Sequence, residues 1–294
     1  MKNWFSHLEG VMVLENEPLA KYTWFHIGGN ADYFIKVYSK RALKKILQII
    51  KKRRLKYFLI GAGSNLLVSD KGFRGVVIRL EGNFKKIYNR NNYFYCGAGV
   101  KLENLLKKAQ ILGYGGAEFL AGIPGSLGGA IKGNAGAFGH ALADITQTIL
   151  VLNEKLQKEE IGKNNVGFAY RTSRLRNDQI ILSAQIKLIR KDRKKIINTI
   201  KRNLKYRVQH HPVEYSAGSF FKNPEKYSSG KLIEACGLKG LRIGDAAISR
   251  KHANFIVNLG QAKASDVLKL AKMVKKIVRE KKGIKLKAEV RILD

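Results

Sequence analysis

Apolar residues return at helical spacing in several separated stretches. Between Ser39 and Arg54, Leu43, Ile46, Leu47 and Ile50 share one face, and Ser39 is a suitable N-cap, which predicts an amphipathic helix over 39–54. The same spacing predicts a helix at Lys101–Leu112, on Leu102, Leu105, Leu106 and Ala109, and a basic one at Asp192–Arg207, on Ile196, Ile197, Ile200 and Leu204. Further helices are expected at Ser229–Cys236 and at Ser265–Lys281, the second ending near Gly283. Short apolar runs between them predict strands at Tyr57–Ile60, Val76–Leu80, Tyr93–Cys96, Ile145–Asn153, Gln179–Ile189 and Asn254–Val257. The run Ile284–Ile292 alternates strictly, apolar at even numbers and charged at odd ones. That is the period of a half-buried strand, with Glu289 on the face of Lys285, Lys287 and Arg291.

Two segments interrupt these periods with glycine. Gly61-Ala62-Gly63-Ser64-Asn65-Leu66-Leu67-Val68 directly follows a predicted strand. Backbone N–H groups freed by glycine can form a nest for a pyrophosphate; an ordinary strand-to-turn connection is the other reading. Leu66 excludes a Rossmann fingerprint, and no Gly-Lys-Ser/Thr follows to make a Walker loop. The second segment is Gly122-Ile123-Pro124-Gly125-Ser126-Leu127-Gly128-Gly129-Ala130, continued by Gly133-Asn134-Ala135-Gly136-Ala137-Phe138-Gly139. Glycine weakens a helix by up to about 1 kcal/mol per residue. Close approach of backbone to a flat, polyphosphorylated cofactor is a reason to accept that cost. The interleaved Ile123, Leu127, Ile131 and Phe138 argue for a packed segment rather than a mobile loop.

Composition narrows the classes. A chain of 294 residues predicts two or three domains. No run approaches the ~20 apolar residues of a membrane span. The stretch Met1–Ala20 carries Glu9, Glu15 and Glu17 and does not read as a signal peptide. Cys96 and Cys236 have no metal or disulfide spacing, which fits a reducing compartment and a cytoplasmic protein. The charge is lopsided, 56 Lys+Arg against 22 Asp+Glu, net +34. The basic residues are spread along the polar faces of helices without an aromatic–basic platform. No nucleic-acid or membrane partner is therefore expected, though a positive field attracts anionic nucleotides.

Several motifs, in one order, resemble a known family. They are Thr23-Trp24-Phe25-His26-Ile27-Gly28-Gly29, Gly61–Val68, Glu118–Ser126, Asn134-Ala135-Gly136, Phe168-Ala169-Tyr170-Arg171-Thr172-Ser173, Ser216–Pro224, Gly230–Gly240, His252-Ala253-Asn254-Phe255 and Ala288-Glu289-Val290-Arg291. Together they resemble the UDP-N-acetylenolpyruvoylglucosamine reductases along nearly the whole chain. The resemblance implies an α+β fold: a two-lobed FAD-binding domain of the vanillyl-alcohol-oxidase type and a C-terminal substrate domain. The lobes are expected at 1–80 (with the C-terminal strand 284–294) and 81–205, the substrate domain at 206–283. It also implies non-covalent FAD, NADPH as co-substrate, a UDP-sugar substrate and a monomer.

The implied reaction reduces an enol ether conjugated to a carboxylate. Negative charge then gathers on the carboxylate side, and the neighbouring carbon needs a proton. The resemblance gives Arg171 the charge, whose fork matches a carboxylate. It makes Ser219 the proton donor and Glu289 the second catalytic group; a carboxyl kept protonated by burial can donate a hydrogen bond. A turn serine and an ion pair of Glu289 with Lys287 or Arg291 are the plain alternatives. Tyr170, Lys222 and Asn223 are expected at the substrate, and Gly61–Leu66, Gly122–Ser126, Gly128, Gly129 and Asn134–Gly136 at the FAD; no metal is expected. His26, His210-His211-Pro212 and Asp245 depart from the family pattern. The connection from Arg171 to Ser219 is short, as in the family's second type. A related flavin oxidase or dehydrogenase would share the glycine loops but not the Ser219, Asn223 and Gly230–Gly240 combination; an RNA-binding protein would explain only the charge.

Overall fold

The computed structural model describes residues 4–294; the first three residues, part of the stretch read as lacking a leader, lie outside it. The described chain separates into two compact units. Unit 1 takes in the described residues up to Glu15, Tyr33–Ala62 and Gly75–Tyr206; unit 2 takes in Asn16–Asp32, Gly63–Arg74 and Arg207–Asp294.

Two sheets organise unit 1. One has the strand order Val11–Pro18, Asn30–Val37, Phe73–Leu80, Tyr57–Ile60, the last two parallel with Tyr57 opposite Val76. The other is antiparallel, in the order Lys158–Gly162, Thr146–Leu152, Ile180–Lys187, Tyr93–Gly97, Ile87–Arg90. The helix Lys40–Arg53 buries Ala42, Leu43, Ile46, Leu47 and Ile50, the face its periodicity predicts. Ser39 Oγ caps it by accepting from the Ala42 N–H at 3.1 Å, and Lys51–Arg53 face the negative end of its dipole. Leu102–Leu112 buries its four predicted residues and stops at Gly113, whose φ of +74° is left-handed. These faces join the inward side chains Phe94, Ile149, Val151 and Ile186 in one core.

Unit 2 carries an antiparallel sheet in the order Tyr215–Ser219, Phe255–Asn258, Ala246–Ile248, Arg242–Ile243. Beneath it the helix Ala264–Lys282 buries Val267, Leu270, Ala271, Val274 and Val278, which join Phe25, Phe220, Phe221 and Ile233 in a second core. Each large apolar side chain buried contributes about 1.5–3 kcal/mol, against about 1 kcal/mol for a cap, so packing decides that this helix forms. Gly283, at φ +69°, ends it where the sequence places the stop.

The C-terminal alternation is only partly a strand. Leu286 and Val290 are buried as predicted, but regular pairing is confined to Arg291–Leu293, parallel to Leu66–Val68. There the phase slips: Ile292 is exposed and Leu293 buried. The Ser69 N–H donates to the Leu293 carbonyl and the Arg291 N–H to the Asn65 carbonyl, which fixes this register. Alternation reports an extended, half-buried chain; it does not report which neighbour the chain pairs with. Inside the second glycine segment, Leu127–Lys132 forms a short helix despite Gly128 and Gly129.

Candidate functional site

In unit 1 the start of the first glycine segment, Gly61-Ala62, meets the second. A Cβ on Gly61 would lie 2.3 Å from Ser126 Oγ, and one on Gly129 would find only that same oxygen, at 3.4 Å. Gly125–Gly128 is laid along residues 98–102: the Leu102 N–H donates to Gly125 O (3.0 Å), Leu127 N–H to Val100 O (2.8 Å) and Gly128 N–H to Ala98 O (2.8 Å). Gly128 is needed for this docking, since its Cβ would stand 2.9 Å from that of Ala98. Ile123 and Pro124 are half-buried beside exposed Gly122, whose φ of +71° suits glycine. The chemistry on offer is bare backbone and one hydroxyl, without a charged side chain. That fits the pyrophosphate and flat ring of a dinucleotide flavin.

Glu118 holds this segment from below. Its buried carboxylate accepts from the Gly116 N–H (2.5 Å) and from Lys191 Nζ (3.0 Å), and its carbonyl accepts from Asn203 Nδ2 (2.9 Å). Burial pushes its pKa up, but these hydrogen bonds and the Lys191 charge prevail and leave it below the usual value.

Arg171 is brought to the end of the same glycine segment. Ala169 and Thr172 exchange two backbone hydrogen bonds, 3.1 and 3.2 Å, with Tyr170 and Arg171 at the tip. Arg171 takes φ +54° there, a left-handed conformation that costs a side-chain-bearing residue about 1–2 kcal/mol. Its Nη1 donates to Gly136 O (2.9 Å), and its guanidinium lies 5.8 Å from the Tyr170 ring centre. Asn134 ties turn and loop together, donating to Ala169 O (3.0 Å) and accepting from Ala143 N–H (3.0 Å). The adjoining Ala135 N–H donates to Ala130 O (2.8 Å).

Unit 2 brings Ser219, Glu289 and Asn65 together. Ser219 ends its strand opposite Phe255, just after Gly218 at φ +77° and a register shift in the ladder. The Glu289 N–H donates to Phe220 O (2.9 Å), and Asn65 Nδ2 donates to Glu289 O (3.2 Å). Lys222 follows on the same segment, its N–H donating to Lys287 O (2.9 Å). Asn223 Oδ1 accepts from Ser229 N–H (3.0 Å), so its carbonyl end closes the turn. Gly63, at φ +66°, could carry no side chain: its Cβ would fall 1.9 Å from the Tyr22 carbonyl oxygen. Ser64 is half-buried beside it, and Leu66 and Leu67 are buried.

A residue that sequence reasoning left without a role is Asn254. Buried, it accepts from Phe221 N–H (3.0 Å) and donates to Phe221 O (2.8 Å). No spacing signals this, because the partners lie 33 positions apart. The departures from the family pattern find local partners. His26 stacks on Tyr215 with ring centres 3.8 Å apart. His211 packs against His252 and Phe255, and burial, with the Arg207 charge, pushes its pKa down to about 4. Asp245 accepts from the Gln261 N–H and pairs with Arg242. Cys96 is buried, its thiol pushed up to about 12. Among the described residues no three His, Cys, Asp or Glu side chains are grouped to hold a metal, and no helix is long and apolar enough to cross a membrane.

Comparison with known proteins matches residues 31–154 to an FAD binding domain and 209–293 to the C-terminal domain of UDP-N-acetylenolpyruvoylglucosamine reductase. Reductases of that name are similar along nearly the full length. That of Desulforamulus reducens is 43% identical, covering 95% of this chain and 92% of the relative. That of Symbiobacterium thermophilum is 41% identical, covering 94% and 90%. The crystal structure of the Thermus caldophilus reductase superposes with a TM-score of 0.85 at 36% identity, over 97% of this chain and 99% of the other. The expected α+β fold, an FAD-binding domain followed by a C-terminal domain, is the one present. By identity of this degree over almost all of both chains, the protein belongs to the UDP-N-acetylenolpyruvoylglucosamine reductase family.

Proposed function

We propose that the protein reduces the enolpyruvyl ether of a UDP-N-acetylglucosamine to UDP-N-acetylmuramate, with NADPH as hydride donor, in the supply of peptidoglycan precursors. Non-covalent FAD would supply the hydride-relay chemistry between NADPH and the terminal vinyl carbon. Gly61–Leu66, Gly122–Ser126, Gly128, Gly129 and Asn134–Gly136 would hold it through close-approaching backbone and short polar side chains; the Gly128 and Ala135 N–H groups, already engaged by Ala98 O and Ala130 O, contribute shape rather than donors. Arg171 answers the charge that builds on the substrate carboxylate, and its guanidinium stays ionised throughout. Ser219 delivers the proton to the adjoining carbon, and Glu289 hydrogen-bonds the developing charge. Lys222, Asn223 and Tyr170 bind the sugar nucleotide.

The observation that carries this reading is the hydrogen bond from Glu289 N–H to Phe220 O, which joins the Ser219 and Glu289 segments right beside both residues. A weak acid such as a serine hydroxyl works only in fixed geometry beside a second polar group. We further infer lobes at 1–80 with 284–294 and at 81–205, and a substrate domain at 206–283; the start of the C-terminal family match at residue 209 supports the boundary near 206. Soluble nucleotide substrates favour a cytoplasmic monomer serving wall growth, and with it cell shape and division.

Purified protein should show flavin absorbance that NADPH bleaches and the enolpyruvyl sugar nucleotide restores without oxygen. Colourless protein, or a colour that returns only with oxygen, would overturn the proposal.

A further inference from the structure

We infer that Asn254 is a positioning residue for the proton-delivery step, acting through the peptide that links Ser219 to Glu289. This rests on the proposed role of Ser219. The ladder between Tyr215–Ser219 and Phe255–Asn258 ends at Ser219 opposite Phe255. The next residues, Phe220 and Phe221, are fully buried and still need partners for their backbone groups. Asn254 supplies them. Its backbone carbonyl accepts from Phe220 N–H at 2.7 Å. Its side-chain amide then imitates one more strand residue, accepting from Phe221 N–H (3.0 Å) and donating to Phe221 O (2.8 Å).

On the other side, Phe220 O accepts from Glu289 N–H (2.9 Å), and Phe221 bridges to Ala288. The Phe220–Phe221 backbone is therefore gripped from both flanks. The Asn254 flank is the one made by a replaceable side chain. Gly218 before Ser219, at φ +77° beside a register shift, gives the chain a soft point there. With the bracket loosened, Ser219 can drift along its strand relative to Glu289. A shift near 1 Å is enough to reduce a rate by about 100-fold.

The test uses flavin-loaded enzyme carrying Asn254→Asp, which keeps the acceptor for Phe221 N–H but turns a second oxygen on Phe221 O. Flavin content and the rate of bleaching by NADPH should match wild type. Recovery of colour with the enolpyruvyl sugar nucleotide should slow at least 10-fold, and amide exchange across residues 215–222 should quicken. In the Ser219→Ala background the same change should add little further slowing. If the Asp variant does not fold, Asn254→Ala, which removes both bonds without adding charge, is read in the same way. Normal recovery in an Asn254 variant, beside slow recovery in Ser219→Ala, overturns this inference alone. Equal slowing of both half-reactions, or full additivity with Ser219→Ala, also overturns it. Normal recovery in Ser219→Ala removes the reading on which it rests.

Discussion

Arg171 stands where a tight turn ordinarily takes glycine, and it holds a left-handed backbone there. Strain of this kind persists where the side chain has work that a glycine cannot do. The consequence is an ordering of two variants. Arg171→Ala loses the bond to Gly136 O and keeps the strain; Arg171→Gly loses the same bond and relieves it. In urea unfolding the Gly variant should be more stable than the Ala variant by about 1 kcal/mol, while both lose most turnover. An Ala variant as stable as the Gly variant would mean the turn is unstrained. Ser219 calls for a different experiment. NADPH oxidation asks nothing of a proton donor, so Ser219→Ala should bleach normally with NADPH. It should recover colour with the enolpyruvyl sugar slower by a factor on the order of 100. Ser219→Cys should recover faster than Ala, because a thiol still carries a proton. Stopped-flow measurement of each half-reaction decides; similar modest losses in both would mark a plain turn serine. Motif matching pointed to both residues. It could not show that Asn254 grips the backbone directly after Ser219, since that contact exists only after a fold has joined segments distant in sequence.

At the level of elements, helices were the most legible, because a repeated 3.6-residue period narrows the choice of buried face. Lys40–Arg53 and Leu102–Leu112 bury the predicted residues. The basic helix Arg193–His210 departs from expectation: it buries Asn203, which hydrogen-bonds the Glu118 carbonyl, and leaves Leu204 exposed. The strands Val11–Pro18 and Asn30–Val37 gave no such signal. Val11–Pro18 places glutamates and Asn16 among its apolar residues, and none of its own residues is fully buried. The glycines were half-legible. They mark close backbone approach, but Gly63 and Gly128 are required by the chain's own packing whether or not a cofactor binds. The N-terminus of Ala264–Lys282 shows a device that spacing also hides. Asp70, about 194 positions upstream, accepts from Ala264 N–H (2.6 Å) and Ser265 N–H (3.0 Å). Burial pushes the Asp70 pKa up, but these two backbone bonds outweigh it and leave the group below its ordinary value. A carboxylate so lowered adds stability that is complete above its unfolded pKa, about 4, and is lost as pH falls through the folded one. Asp70→Asn should therefore cost about 1 kcal/mol at pH 7, the scale of an exposed cap. The gap from wild type should close as pH drops below about 4. Urea unfolding of both proteins at pH 7 and pH 3 measures this; an equal gap at both would assign the loss to packing.

At the scale of the whole molecule the excess of 34 positive charges acts twice, with opposite signs. Carboxylates are too few to pair the lysines and arginines, and pairs such as Arg176 with Glu154 and Asp178 are exposed and weak. Self-repulsion therefore opposes the folded state, and salt relieves it. The same field draws in ligands that are themselves anions, a nucleoside diphosphate sugar carrying a carboxylate and a dinucleotide phosphate, and salt weakens that attraction. If the short Arg171–Ser219 connection leaves the bound sugar nucleotide little covered, few short-range contacts replace what screening removes. Raising ionic strength from about 0.01 M to about 0.15 M contracts the screening length from about 30 Å to about 8 Å. Over that range the thermal midpoint should rise while KM for both substrates increases several-fold, with kcat nearly constant because the chemistry lies inside the screening distance. A general effect of salt on the protein would move all three together. Opposite movement of midpoint and affinity is the signature of a net field, and a substrate KM that stays flat while the midpoint climbs would show that the charge serves solubility and not capture.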